Sequence, residues 1–415
     1  MQIKGIKLSF WVLLLIVCSC KTTVPNVTQS AMDVLKADIV YLSSEELEGR
    51  ETGTKGERLA AEYIKKRFQD MGLNGIFNSS DPYYQFFEKT IKSNPHGEAQ
   101  PDDPKIQGRN VGAFIDNGSA HTIIIGAHYD HLGYGPEGSL YTGPPAIHCG
   151  ADDNSSGVAA MLALAKDFST QKMNSNFLFL AFSGEEKGLW GSNFFVDNSP
   201  LELGDINYMI NMDMVGRLNE DRQLAIYGTG TSPSWDKVLK SVKSPIFKFS
   251  LKESGVGPSD HTSFYLVDIP VLHFFTGQHE DYHRPSDTHE KINYEGLGDI
   301  VQYITSIIVN LNNSGKIEFT KTKDESEQAP KFKVTLGVVP DYLYDGVGMR
   351  IDGVRDDRPA ANAGIQKGDI VMKMGDLEIV DMMSYMKALG AFNPGETVKV
   401  IIEREGKRLE KDVSF

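Results

Sequence analysis

The chain has 415 residues, 40% of them apolar and 24% charged, with a formal net charge of −14. That length leaves room for two domains, one of them large, and the composition excludes a fibrous or wholly disordered chain. The acidic balance, with no run of Lys and Arg, excludes a nucleic-acid track.

The first element is a targeting segment: Lys4 and Lys7, the apolar stretch Leu8–Val17, then Val17-Cys18-Ser19-Cys20. About ten apolar residues are too few to span a bilayer, which takes about 20. The segment resembles a bacterial lipoprotein signal, which implies cleavage before Cys20 and lipid on that cysteine. An ordinary secretory peptide cut a little later is the alternative. On the lipoprotein reading the protein is anchored in the cell envelope, facing the periplasm or the cell exterior, without spanning the membrane. Loss of residues 1–19, which carry two lysines and no acid, takes the net charge from −14 to −16. Only Cys149 then remains as a thiol, so no intrachain disulfide is expected.

Residues 20–29 read as a tether. A helical period starts at Ser30 (Met32, Leu35, Ile39), and Arg58–Met71 reads as a second amphipathic helix. Asn78–Gly108, rich in Pro, Asp and Ser, is expected to be a long loop. Strands are then expected at Thr122–Ala127, Asn176–Phe182, Ile206–Met212 and Ile269–Phe275. Helices alternate with them at Ser156–Phe168, Trp190–Val196, Trp235–Val242 and Tyr294–Leu311. Near-continuous apolar strands alternating with helices predict a doubly wound α/β sheet, mixed but mostly parallel, over residues 30–313. Residues 314–331 are polar and aperiodic and read as a linker. Residues 332–415 read as a small β-rich domain with one helix at Met382–Leu389.

Five fragments of the larger domain carry metal-ligating residues. They are GAHYDHLG (Gly126–Gly133), GADDNSSG (Gly150–Gly157), FSGEEKG (Phe182–Gly188), NMDMVG (Asn211–Gly216) and DYHRPSDT (Asp281–Thr288). Each sits at or beyond the carboxyl end of a predicted strand, where open α/β sheets bind ligands. Imidazole and carboxylate suit zinc, and two such ions about 4 Å apart can drive hydrolysis. Asp130, two residues beyond His128 in extended chain, is expected to reach its ring and fix the tautomer. Glu185 and Glu186 cannot share one direction, so one can ligate while the other serves as a base. Asp152 or Asp153 could bridge two cations, and either could cap the following helix.

These fragments resemble the di-zinc metallopeptidases of family twenty-eight, over roughly Ala31–Asn312. The family includes bacterial leucyl-type aminopeptidases, glutamate carboxypeptidase II and the glutaminyl cyclases. The resemblance implies two Zn²⁺ per chain, one on His128 and Asp213, the other on Glu186 and His283, with Asp153 bridging. It further implies Glu185 as general base for the attacking water, Tyr282 as a stabiliser of the oxyanion, and a cis peptide bond after Asp153. Glu185 with Asp213 would receive the free α-amine of a peptide. Ser259-Asp260-His261 resembles a loop lining the family's substrate pocket, and Asp287 is expected to support the His283 loop. His131, His148, His273, His279 and His289 are left as surface or supporting groups, Cys149 as a bystander, and Met209, Met212 and Met214 as core.

Gly353–Val371 (GVRDDRPAANAGIQKGDIV) resembles the PDZ domains of envelope proteases, matching at Ala360, Ala363, Gly364, Gly368 and Asp369. Such domains take a peptide C-terminus onto a sheet edge, and Gly346-Val347-Gly348-Met349 is the expected binding loop. The combined expectation is a lipid-anchored aminopeptidase acting on peptides. A glutaminyl cyclase would want a Trp beside the late His, where Tyr282 stands. A carboxypeptidase for acidic peptides would want an Arg cluster, and none lies near the motifs in sequence. A metal-dependent binding or receptor-like protein that had lost its chemistry would lack ligands, and all are present.

Overall fold

A computed structural model describes residues 29–91, 100–322, 333–341, 344, 346–355 and 358–415. The targeting segment, nearly all of the tether and residues 323–331 of the expected linker lie outside the described residues. Among the described residues no helix is long and apolar enough to cross a membrane.

The elements of the larger domain are, in chain order, α1 (Gln29–Leu42), α2 (Lys55–Asp70), β1 (Tyr84–Thr90), β2 (Lys105–Ile115), β3 (Thr122–His128), α3 (Gly157–Ser169) and β4 (Asn176–Phe182). They continue as α4 (Trp190–Asp197), β5 (Ile206–Met212), β6 (Gln223–Tyr227), α5 (Pro233–Ser241), β7 (Lys248–Leu251), α6 (His261–Tyr265), β8 (Val271–Phe275) and α7 (Tyr294–Leu311). Eight strands form one sheet in the order β1-β2-β4-β3-β5-β8-β6-β7. The central strands β4, β3, β5 and β8 run parallel; β1 against β2, β2 against β4, and β6 against β8 run antiparallel.

The strands TIIIGAH, NFLFLAF and INYMINM are buried at every position, which is why each reads as an unbroken apolar run. Helices α1, α2, α3 and α7 cover one face through residues such as Leu35, Phe68, Leu162 and Ile304. On the other face Phe182, Phe195 and Phe264 pack as a separate aromatic layer. The chain leaves β3 towards β4 on one side and reaches β5 on the other, so the topology switches at the carboxyl end of β3.

One expectation is corrected here: Asn78–Gly108 is not a loop throughout. Its Tyr84–Thr90 pairs antiparallel with β2, from Tyr84 opposite Val111 to Thr90 opposite Lys105. Phe87 points in and Phe86 out, an alternation masked in sequence by the Pro, Asp and Ser around it. The polar stretch after α7 is also less free than a linker. Ile317 is buried and its amide donates to the Asn207 side chain, while Thr322 donates to the Tyr265 hydroxyl.

The smaller domain comprises β9 (Val338–Pro340), β10 (Met349–Val354), α8 (Pro359–Asn362), β11 (Ile370–Met374), β12 (Leu377–Glu378), α9 (Met382–Ala391), β13 (Thr397–Arg404) and β14 (Lys407–Ser414). It has its own core, with Leu336, Ile351, Val371, Leu389 and Ile402 buried together. The expected binding loop at Gly346–Met349 leads into β10, which pairs with β11 at one end and with β9 along the rest. Within that loop the Gly348 amide donates to the Val380 carbonyl, and among the described residues β9 ends the sheet on this side.

Helix α3 carries the turn that builds the site, and Phe168 fixes it by stacking on Phe177 of β4 at 4.6 Å between ring centroids. Replacing Phe168 by Ala should cost about 3–5 kcal/mol, read as a lower urea midpoint for the larger domain.

Candidate metal centre

The parallel register that sets Gly126 opposite Asn211 carries His128 and Asp213, two residues on, to neighbouring strand ends. The Nε2 of His128 lies 3.3 Å from Asp213 Oδ1 and 3.3 Å from Asp153 Oδ1. Asp153 is delivered by the turn Ala151–Ser156 ahead of α3. Gly150, at φ +58°, admits that turn: a Cβ there would lie 2.3 Å from the Asp153 carbonyl and 2.6 Å from the His131 ring. The Asp153–Asn154 peptide bond is cis, as the family resemblance implied.

The loop after β8 brings His283, whose Nε2 lies 3.2 Å from Asp153 Oδ2 and 3.2 Å from Glu186 Oε2. The two oxygens of Asp153 thus serve two imidazoles. In each imidazole Nδ1 meets a main-chain carbonyl: Asp130 O at 3.2 Å for His128, Gly138 O at 2.8 Å for His283. A carbonyl only accepts, so Nδ1 donates in each ring, and each Nε2 is turned between two carboxylate oxygens. Such an arrangement calls for a cation in each gap. The residues fit two metal ions, one on His128, Asp153 and Asp213, the other on Asp153, Glu186 and His283.

Glu185 also belongs to the first cluster, with a carboxylate oxygen within 4.8 Å of ligand atoms of His128 and Asp213. Burial, reinforced by Asp213 and Glu186, pushes its carboxyl well above the usual range despite the opposing charge of His128. Its amide donates to Asp130 Oδ1 at 3.1 Å, which aims the residue into the pocket. Asp130 therefore orients both partners, but the group closest to His128 is its carbonyl; its carboxylate stands off at 3.7 Å. The expected carboxylate–imidazole contact is corrected to a main-chain one, because Thr52 and the Glu185 amide engage the carboxylate.

Asp152 points away, accepting from the Gly216 amide at 2.7 Å and facing His279 Nε2 at 3.1 Å. Asp287 does more than support the His283 loop: its Oδ2 accepts the amides of Asp152 and Asp153 at 2.9 and 3.1 Å. Tyr282 stacks on His283 with ring centroids 3.8 Å apart and lines the pocket with Tyr227, Phe275, Pro258 and Gln278. Asp260 is fully buried behind Glu185 and Asp213, and that burial raises its carboxyl to about 7. His261 and His273 stack at 4.4 Å in the same layer, and burial lowers His273 to about 4, so it is neutral. Burial raises the Cys149 thiol, which argues against a reactive thiolate.

Two residues of the site were not expected. His131, set aside as a supporting or surface group, is buried and its Nδ1 lies 2.7 Å from Glu186 Oε1 and 3.9 Å from Asp153 Oδ2. It stands with Asp153 and Glu186 as a possible ligand, so the second cluster holds two imidazoles. Its position three residues past His128, at the end of the same fragment, was the available signal. Arg50 is also buried, donating to the carbonyls of Tyr129, Leu42, Cys149 and Gly150. Burial lowers its guanidinium to about 10, still a full cation, near Asp153, Asp130 and Asp287. Nothing in its local sequence announces this.

A mostly parallel sheet with imidazole and carboxylate ligands gathered at its strand ends defines a domain of the zinc-exopeptidase type. Residues 110–308 match the description "Peptidase family M28" and residues 317–415 match "PDZ domain". Aminopeptidase YwaD of Bacillus subtilis (strain 168) is 30% identical over 194 residues, 43% of this chain and 39% of that protein. The chain thus spans about two fifths of that relative's length. The solved structure of BSAP, a zinc aminopeptidase from Bacillus subtilis, has a TM-score of 0.53 at 17% identity, covering 69% of this chain and 98% of that one. Glutaminyl cyclase from Porphyromonas gingivalis has a TM-score of 0.54 at 17% identity, covering 67% and 98%. These two likenesses establish the fold.

Because His131 holds Glu186, replacing His131 by Ala should weaken metal binding at the second cluster by about 10–100-fold. Competition with a chromophoric chelator measures this, and an unchanged affinity would remove His131 from the centre.

Proposed function

We propose that this protein is a metallo-aminopeptidase that holds two zinc ions and removes N-terminal residues from peptides. The observation that carries the reading is the placement of two imidazole Nε2 atoms against the two oxygens of one shared carboxylate, Asp153. The match of residues 110–308 to the M28 family description and the likeness to proteins named aminopeptidases support it.

On this reading His128, Asp153 and Asp213 hold one ion, and Asp153, Glu186 and His283 the other, with His131 bracing Glu186. When bound, the ions would supply Lewis acidity to a scissile carbonyl and make water acidic near neutral pH. Glu185 accepts the proton of the attacking water on its carboxylate and delivers it to the departing amine. Its carboxylate lies in the first cluster beside His128 and Asp213, and its amide is fixed by Asp130, which sets the base in position for that exchange. The same carboxylate with Asp213 forms an anionic patch for the substrate's free ammonium group. Tyr282, at the pocket wall, is placed to donate to the oxyanion that develops on the carbonyl. The pocket, about 100 Å³, suits one side chain closed in by Tyr227 and Phe275.

A glutaminyl cyclase reading shares the fold, but two complete clusters and a Tyr beside the late His favour the peptidase. The lipoprotein-like start further supports a protein tethered to the cell envelope through Cys20, with peptides outside the cytoplasm as substrates. Cys20→Ser should then release the protein into the soluble fraction; retention in the membrane fraction would refute the anchor.

Purified protein is expected to hold two zinc ions per chain by elemental analysis and to hydrolyse leucyl-p-nitroanilide. Glu185→Gln should keep the metal and lose at least about 10²-fold in kcat. Fewer than one ion per chain, or near-normal turnover in the variant, would overturn the assignment.

A further inference from the structure

Residues 49–52, between α1 and α2, lie ahead of the stretch that matches the peptidase description, residues 110–308. None of them belongs to either metal cluster found among the described residues. Yet these four consecutive residues touch three of the five ligand-bearing fragments. On the fragment that carries His128, the Gly133 amide donates to the Gly49 carbonyl at 3.0 Å and the His131 amide to the Arg50 carbonyl at 3.3 Å. The Nε of Arg50 donates to the Tyr129 carbonyl at 2.9 Å. At the start of the turn that carries Asp153, Arg50 Nη1 donates to the Cys149 carbonyl at 2.7 Å and Nη2 to the Gly150 carbonyl at 3.0 Å. On the fragment that carries Glu185 and Glu186, Glu51 pairs with Lys187 at 3.0 Å, and the hydroxyls of Thr52 and Ser183 lie 3.2 Å apart. Thr52 also donates to Asp130 Oδ2 at 3.1 Å, and Asp130 Oδ1 in turn accepts the Glu185 amide.

The backbone here is as specific as the contacts. Glu48, Gly49 and Arg50 have φ of +48°, +70° and +51°, a conformation that residues with a side chain adopt only where their surroundings hold it. A Cβ on Gly49 would lie 2.6 Å from the Gly133 carbonyl oxygen and 2.8 Å from that of His148, so the turn is wedged between the stretches it joins. Guanidinium spreads five donors over three nitrogens, whereas an ammonium carries the same charge with its three donors on one atom. We propose that the turn of residues 49–52 is a positioning element for the metal centre. Arg50 sets the turn that delivers Asp153 against the His128–His131 fragment, and Thr52, through Asp130, sets Glu185. The inference rests on the metallo-aminopeptidase reading and adds to it two residues outside the ligand sets.

Arg50→Lys separates charge from geometry, and Thr52→Val removes one hydroxyl while keeping the side chain's shape. Zinc affinity, read by competition with a chromophoric chelator, requires no turnover. In Arg50→Lys it should fall about 10–100-fold although the charge is kept. Thr52→Val should hold zinc affinity within about twofold and lose about tenfold in kcat on leucyl-p-nitroanilide with KM little changed, and Thr52→Ser should recover most of that loss. A folded Arg50→Lys with unchanged zinc affinity, or Thr52→Val with unchanged kcat, would overturn the inference. A lower urea midpoint with both values unchanged is what a purely structural turn gives, and it would overturn the inference too. If Arg50→Lys fails to fold, the two Thr52 variants decide. Zinc binding without turnover in the wild type would sink the aminopeptidase reading alone, and the affinity of Arg50→Lys would still judge the turn.

Discussion

Four carboxylates, those of Asp153, Glu185, Glu186 and Asp213, converge on one small pocket at the carboxyl edge of the sheet. Negative charge gathered away from bulk water is costly unless cations share the space. The rest of the domain is organised around that constraint. Two imidazoles turn their Nε2 atoms towards the carboxylates, and Arg50 holds a permanent charge beneath them. Metal ions complete the balance, so binding them is coupled to the stability of the folded domain.

The precision of the arrangement comes largely from main chain. Carbonyls of Asp130 and Gly138 fix the two tautomers, while amides of Asp152, Asp153 and Glu185 are held by carboxylates outside the pocket. Asp287 and Asp130 therefore act at one remove, shaping the loops that carry the ligands. This division explains why so many acids sit close together without all facing the metals. Some face the imidazoles, and others orient the loops that carry them.

Much of this was legible in the residues. The central strands are apolar throughout because both faces are covered, and all five expected ligands meet at their ends. The β1–β2 hairpin was hidden because its one-sided alternation lies among turn-forming residues. The short strands β6 and β7 carry too few residues to impose a pattern. His131 was passed over because the expected ligand set was already full, although its spacing from His128 was visible. The seam between the domains could not be read at all. Arg217 and Arg350 lie far apart in the chain, and they meet only as walls of one cleft.

The two clusters differ in how they are supported. His128 terminates β3 and Asp213 directly follows β5, so that half of the centre is as rigid as the sheet itself. His283 is delivered by a loop, with its own backbone at φ +53°. A change in that loop would therefore disturb the second cluster while leaving the first, fixed by the sheet, in place.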